Sequence, residues 1–287
     1  MAEQMQGIKR RIKSIGSTER ITNAMKLVSA AKLRRAKSVY EHSKLCLSRI
    51  TASIEEAFEN AEVIPKQYLL GSREIKTTAY IIITSSTGLC GSFNGNVIRR
   101  TEEEIRAKGD IPELITIGSK AREYFERRNV DIMVSHDATA DSVTYEETKS
   151  IAEALVEKYL SGEIDEIELI YTSYINTLKQ EVVVKRILPI DLGEHVPTST
   201  KINSVEYDPS PEDVFVYLCE KLFEMRLYSA VIESSTCEHA ARRQAMENAN
   251  DNAADMLSML QLEYNRATQS QITDEIIEIV SGSEALS

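Results

Sequence analysis

Cys237 to Leu286 reads CEHAARRQAMENANDNAADMLSMLQLEYNRATQSQITDEIIEIVSGSEAL, and the fold follows from how this stretch is read. It contains no Pro, and no Gly before Gly282, so nothing in it breaks a helix early. Its apolar residues fall at Met246, Ala249, Ala253, Met256 and Leu260, in steps of three and four, which is the spacing of a coiled-coil seam. The flanks are crowded by Arg242, Arg243, Glu247, Asn248, Asp251, Asn252 and Asp255, so the apolar stripe is too narrow for a helix sunk in a globular core. One side grips a partner helix and the rest faces water or a loose socket. The register slips after Leu260 and resumes at Ile272, Ile276 and Ile279.

The partner is the other end of the chain. From Ala2 to about Phe58 a second helix is expected, with Ile8, Ile12 and Ile15 opening a seam that Gly16 and Ser17 interrupt. Ile21, Met25 and Val28 restart it, and Ala30, Ala31, Ala36 and Val39 carry it on. Gly16 inside a helix costs about 1 kcal/mol relative to Ala, so a bend is expected there. A helix this long is not stable alone over its outer part and needs pairing. Charge agrees: residues 1–50 carry 12 Lys or Arg against 3 Glu, while residues 235–287 carry 3 Arg against 9 acids. Opposite ends of opposite sign steer pairing more than they strengthen it.

Between the ends lies a different pattern. Residues 62–76, with Pro65 and Gly71, read as a connector. Thr77–Ser85 (TTAYIIITS) is a β-branched run of the kind found in buried parallel strands. Further strands are expected at Glu113–Ile117, Val130–Val134 and Ile167–Thr172, with helices from about Phe93 to Lys108, Lys120 to Arg128 and Tyr145 to Leu160 between them. That βαβαβαβ order implies an open, mainly parallel sheet covered by helices, and Gln180–Pro189 adds an antiparallel strand. Asp191–Asp208 is a loop, and Ser210-Pro211-Glu212-Asp213 starts the last helix. The expected fold class is therefore α/β: a long antiparallel coiled coil of the N- and C-terminal helices plus a central Rossmann-like α/β domain. The expected division is 1–60 for the first helix, 61–209 for the central domain and 210–287 for the last helix.

Composition excludes several functions. No apolar run approaches the roughly 20 residues a membrane helix needs, so direct bilayer insertion is not expected. Met1-Ala2-Glu3-Gln4 offers no secretion signal, which leaves the chain where it is made. Cys46, Cys90, Cys219 and Cys237 show no CxxC spacing, and His42, His136, His195 and His239 form no HxxxH pair, so no metal site, disulfide framework or cofactor is expected. The loop Gly88-Leu-Cys-Gly-Ser-Phe-Asn-Gly lies where α/β sheets bind ligands, but its glycines match neither nucleotide-binding pattern, and a tight structural turn is the favoured reading. Cys90 has no His nearby in sequence to act as its base. Asp274, Glu275 and Glu278 share part of a helix face and read as solvated charges. The basic run Lys32-Leu-Arg-Arg-Ala-Lys37 with Lys9-Arg-Arg11 lacks interleaved aromatics, and the chain's formal net charge is -11, so these cations suit acidic protein partners better than nucleic acid. No catalytic residue is expected anywhere.

Certain strings go beyond pattern. Ile8-Lys-Arg-Arg-Ile-Lys-Ser-Ile and Thr22-Asn-Ala-Met-Lys-Leu-Val-Ser-Ala-Ala-Lys-Leu-Arg-Arg-Ala resemble the N-terminal signature of the γ subunits of F-type ATP synthases. Glu238-His-Ala-Ala-Arg-Arg-Gln-Ala-Met and Ile272-Thr-Asp-Glu-Ile-Ile-Glu-Ile-Val-Ser-Gly resemble the C-terminal one. The resemblance implies a non-catalytic rotor, its coiled coil inside a ring of alternating α and β subunits and its central domain near ε and the membrane c-ring. Proton flow would turn the shaft and drive ATP chemistry on the β subunits. By the same resemblance Arg242, Gln269, Thr273 and Glu275 contact a β-subunit loop, and Met25 lies beside the β lever. The sequence departs from the family where Thr268 replaces the usual Arg, and where Ser86-Thr-Gly replaces an Asp-Arg-Gly string. The absence of a light-regulated cysteine insert implies a bacterial source and a peripheral location on the cytoplasmic side of the cell membrane. The alternative is a coiled-coil scaffold or adaptor, and a third reading is a small α/β enzyme using the Gly88 loop.

Overall fold

The structure is a computed structural model, and it describes residues 2–60, 68–69, 74–137, 143–190, 208 and 210–284. The connector containing Pro65 and Gly71, most of the 191–208 loop and the Glu278 side chain lie outside the described residues. The elements run α1 (Ala2–Asn60), β1 (Thr77–Ile83), α2 (Phe93–Lys108), β2 (Ile111–Ile117), α3 (Ser119–Glu126), β3 (Ile132–His136), α4 (Tyr145–Ser161), β4 (Glu166–Tyr174), β5 (Gln180–Leu188) and α5 (Pro211–Glu284). Two compact units result: one of Met1–Ala30 with Arg242–Ser287, the other of Ala31–Ala241. The inner parts of both long helices thus cluster with the sheet.

In the larger unit the strand order is β3-β2-β1-β4-β5. The first four strands are parallel, and β5 runs antiparallel to β4, its register carrying Tyr171 opposite Val183 and Tyr174 opposite Gln180. The expected α/β sheet is therefore present, with the added strand at its edge. β1 is buried on both faces, which is why it reads as an unbroken apolar run. Ala79, Ile81 and Ile83 face a core shared with α4 and α5, including Leu155, Tyr159, Phe215, Phe223 and Leu227. Tyr80 and Ile82 face the opposite core, with Val97 of α2 and Phe125 of α3.

Local chemistry sets the ends. Thr144 caps α4 by accepting from the Glu147 N–H at 3.3 Å while the Glu147 carboxylate accepts from the Thr144 N–H at 2.7 Å. Ser210 caps α5, accepting from the Asp213 N–H at 3.1 Å. Gly118, between β2 and α3, has a φ of +95°, and a Cβ there would lie 2.1 Å from the Thr84 carbonyl oxygen, so no side chain fits.

Candidate interaction site on the paired helices

In the smaller unit α1 and α5 run antiparallel. Met5 meets Thr268, whose hydroxyl lies 3.4 Å from Sδ; the Lys9 ammonium stands 5.4 Å from the Tyr264 ring centre; and the Thr22 hydroxyl lies 3.5 Å from Asn250 Oδ1. Contacts climb one helix as they descend the other.

The seam keeps a strict alternation of four and three. On α1 in this unit Ile8, Thr22 and Ser29 are buried, and Ile12, Ile15, Glu19 and Lys26 are half-buried. On α5 Met246, Ala253 and Leu260 are buried, with Asn250, Leu257, Tyr264, Ala267 and Gln271 half-buried between and after them. This corrects the seam expected from sequence at several points. The helix runs through Gly16 without a break, and a Cβ there would touch nothing within 4 Å. A seam through Ile21 and Val28 would need the register to slip by one residue at Gly16. Because it does not, Glu19, Thr22, Lys26 and Ser29 take the inward positions, and Ile21, Leu27 and Val28 are 58%, 62% and 56% exposed. Ala31 and Val39, in the larger unit, are also exposed. On α5 Leu257 rather than Met256 faces inward. Ile272, Ile276 and Ile279 do not resume the seam. Residue 268 already faces Met5, and Ile272, Ile276 and Ile279 beyond it are exposed.

The outcome is a two-helix unit with a partly polar interior and large apolar side chains outside: Ile21, Leu27 and Val28 on α1, and Met259, Ile276 and Ile279 among those on α5. Scattered apolar residues are ordinary on a surface, but a helical pair that turns this many outward while burying Thr and Ser is built to meet other proteins. The sequence signal was present in these residues; assigning Ile21, Val28, Ile276 and Ile279 to the seam hid it.

The residues singled out by resemblance fall at three levels. Arg242, at the start of this unit's α5 segment, is buried, with 8% exposure. Met25 is half-buried on α1. Gln269, Thr273 and Glu275 are exposed near the far end of α5. The Thr273 hydroxyl donates to the Gln269 carbonyl at 2.9 Å, and the Gln271 amide donates to the Glu275 carboxylate at 2.8 Å, so those three share one patch. Gln269 lies 27 residues beyond Arg242, roughly 40 Å along a helix, so the structure does not gather all five into one site.

In the larger unit the Gly88 loop is filled by its own side chains. Asn94 Oδ1 accepts from the Ser85 N–H at 2.9 Å, and its amide donates to Ser85 Oγ at 2.8 Å and to Cys90 Sγ at 3.3 Å. Leu89 at φ 63° and Gly91 at φ 61° complete a tight turn. Among the described residues no group of three or more His, Cys, Asp or Glu is placed to hold a metal. Cys237 and Cys219 are buried, and burial pushes the Cys219 thiol up to about 12, which leaves it protonated and inert.

Sequence reasoning missed one polar hub. Glu233, buried in α5, accepts from Ser173 Oγ at 2.6 Å, the Tyr174 N–H at 2.8 Å, the Tyr171 hydroxyl at 3.2 Å and the Tyr40 hydroxyl at 3.4 Å. One carboxylate thereby ties α5 to β4 and to α1. Burial, and next the Glu233 charge, raise Tyr40 to about 12. The contributing residues are far apart in sequence, so no local pattern could have announced them.

Comparison with known proteins agrees with this geometry. A family profile described as ATP synthase matches residues 4–286. The chain is 40% identical over 290 residues to the ATP synthase gamma chain of Alkaliphilus metalliredigens, covering 100% of both. It is 36% identical over 304 residues to the "ATP synthase gamma chain, sodium ion specific" of Acetobacterium woodii, again covering 100% of both. Among solved structures, a chain of the Euglena gracilis mitochondrial ATP synthase OSCP/F1/c-ring assembly matches with a TM-score of 0.70 at 17% identity, covering 100% of this chain and 95% of that one.

Proposed function

The chain belongs to the ATP synthase gamma-chain family, and we propose that it is the central-stalk rotor of a proton-translocating F-type ATP synthase. The observation that carries this reading is the pairing of the chain's two ends into an antiparallel coiled coil that turns large apolar side chains outward. A shaft needs a seam that holds it together and an outer surface that meets several partners in turn, and the smaller unit has both.

The proposed partners are the α and β subunits around the paired helices, and ε and the membrane c-ring at the sheet-bearing unit. Torque enters through the larger unit and passes along α1 and α5, each a single helix (Ala2–Asn60 and Pro211–Glu284). The rotor is non-catalytic: it changes which side of itself each β subunit meets, and the ATP chemistry occurs on β. Arg242, Gln269, Thr273 and Glu275 are the proposed contacts to a β-subunit loop, with Met25 beside the β lever. The ion is read by the membrane ring, so nothing in this chain's chemistry has to distinguish a proton from sodium. Location follows as peripheral, on the cytoplasmic side of a bacterial cell membrane; among the described residues no helix is long and apolar enough to cross a membrane.

The test is isolation of the tagged chain from native membranes. Recovery with two larger nucleotide-binding chains and a small membrane-ring protein, and density for the paired helices on the axis of the particle, are expected. A stable, solitary homodimer would instead establish the scaffold or adaptor alternative.

A further inference from the structure

The larger unit contains a cavity of about 590 Å³ between β4 and β5 on one side and the α1 and α5 helices on the other. Its size is that of a small-molecule site. Lys44, Lys185 and Arg226 line it, and beside them stand Tyr40, Tyr171 and Glu233. Lys44 and Lys185 are exposed at the rim, and Lys185 stands 5.5 Å from the Tyr171 ring centre. Arg226 is different. It is half-buried, burial depresses its pKa, and among the described residues no ion pair to a carboxylate is found for it.

Glu233 does not supply the missing charge. It is two helical turns along α5 from Arg226, roughly 10 Å, and its oxygens are already occupied by the three hydroxyls and one N–H described above. Arg186 also borders the cavity, but its Nε is paired with the Glu166 carboxylate. Three cations therefore face one space against a single saturated carboxylate. The half-buried guanidinium offers five donors in a fixed fork, and its planar geometry matches the oxygens of a phosphoryl group. Two flexible ammonium groups at the mouth add charge without demanding a fixed geometry. Apolar side chains of Leu47 and Ile187 form part of the wall and keep the local dielectric low, which strengthens each charge–charge contact.

We propose that this cavity binds a multiply charged phosphate-class oxyanion, held by Arg226 at its inner wall and by Lys44 and Lys185 at its mouth. An excess of two positive charges is more than a lone carboxylate neutralises, which favours phosphate, diphosphate or the phosphoryl tail of a nucleotide. The site does not depend on the rotor reading; it is formed by this chain's own residues within one compact unit.

Titration calorimetry of the full-length chain at low salt, with inorganic phosphate, diphosphate and ADP as probes, tests it. Diphosphate is expected to bind at one site with an affinity that falls as salt rises. Arg226→Gln is expected to weaken it tenfold or more, and Lys44→Gln and Lys185→Gln by about threefold each. Because Arg226→Gln could disturb packing, the two rim variants, whose side chains are exposed, carry the test with the tyrosine circular dichroism unchanged. ADP binding no tighter than diphosphate assigns the site to the free anion, and tighter ADP binding assigns it to a nucleotide; both support the proposal. It is overturned by absence of saturable binding at roughly 10 mM probe, or by binding that Lys185→Gln and Lys44→Gln leave unchanged. It is also overturned if carbodiimide joins Lys185 to a carboxylate of another subunit in the assembled complex and diphosphate does not compete, since the occupant is then an acidic protein segment.

Discussion

Glu233→Ala removes the acceptor shared by Tyr40, Tyr171, Ser173 and the Tyr174 N–H, and its cost can be worked from the surroundings. Tyr40 and Ser173 border the cavity and can turn to water, so their loss is small. The Tyr171 hydroxyl and the Tyr174 N–H are held at 3.2 Å and 2.8 Å from the carboxylate, and each would lose its acceptor, at about 1–3 kcal/mol apiece. Relief of the desolvated charge offsets part of this, leaving a net destabilisation of about 3 kcal/mol. For a unit of this size that is a fall of roughly 6–12 °C in melting temperature. The chain has 12 Tyr and no Trp, so near-ultraviolet circular dichroism reports this cluster directly. Glu233→Gln keeps one acceptor oxygen and is expected to lose less. The same cluster predicts an alkaline limit. Tyr40 is raised from 10.0 to about 12 in the fold, so its contribution is complete below pH 10 and is lost as pH rises from 10 toward 12. In Glu233→Gln the Tyr40 transition, read by absorbance at alkaline pH, shifts down yet stays above 10.0, because burial is the larger cause. A Glu233→Ala variant that melts within about 1 °C of the parent, less than 1 kcal/mol of change would produce, refutes the claim that this carboxylate joins α5 to the sheet.

Thr22→Cys with Asn250→Cys is expected to form a disulfide on mild oxidation, since the two side chains meet at 3.5 Å; in the assembled complex ATPase should survive because both cysteines lie on one chain, and failure to oxidise refutes the register. Gln269→Ala changes an exposed side chain, so stability should shift by no more than about 0.5 kcal/mol, while ATP-driven ion pumping falls relative to ATP hydrolysis; unchanged coupling removes Gln269 from the proposed contacts. Gly118→Ala forces a Cβ to within 2.1 Å of the Thr84 carbonyl oxygen at a φ of +95° and should cost about 2 kcal/mol or more, measured by urea titration. Lys108 binds the buried carboxylates of Glu166 and, at 2.8 Å, Glu168, whose pKa burial raises. Lys108→Met should destabilise by about 3 kcal/mol at pH 8 and less at pH 5. With the cation gone the folded Glu168 carboxylate binds a proton still more readily than in the unfolded chain, so lowering the pH restores stability; an equal loss at both pH values contradicts this.

Much of the larger unit was legible in the chain. TTAYIIITS has the look of a buried parallel strand, and the alternation of such runs with helical stretches implied an open, mainly parallel sheet, as found. The edge strand from Gln180 was legible because only a short turn separates it from β4, too short for a parallel return. Glu233, Tyr40 and Tyr171 were not, because a hub assembled from α1, β4 and α5 leaves no spacing in sequence.

The phase of the coiled coil was misread for a more general reason. Choosing the most apolar residue at each turn led to Ile21 and Val28, which requires a slip at Gly16, whereas backbone continuity from Ile8 places Thr22 and Ser29 inside. Hydrophobicity alone cannot fix phase when a helix has apolar residues on two faces. The polar inward positions then have a physical use. A seam of Thr22, Ser29, Asn250 and Ala253 binds less tightly than one of leucines, but polar groups such as Asn250 tolerate only one alignment of the two helices, so register is specified at a cost in stability. The apolar residues released by that choice are the ones left outside, where a surrounding ring of subunits can cover them. Interior polarity and exterior apolarity are two results of one register, so Thr22→Leu together with Ser29→Leu should raise the thermal stability of the paired helices. The same change should loosen the register that keeps Ile21 and Val28 facing outward. A double variant that is more stable and assembles with its partners as well as the parent would show that the polar seam has no part in setting this register.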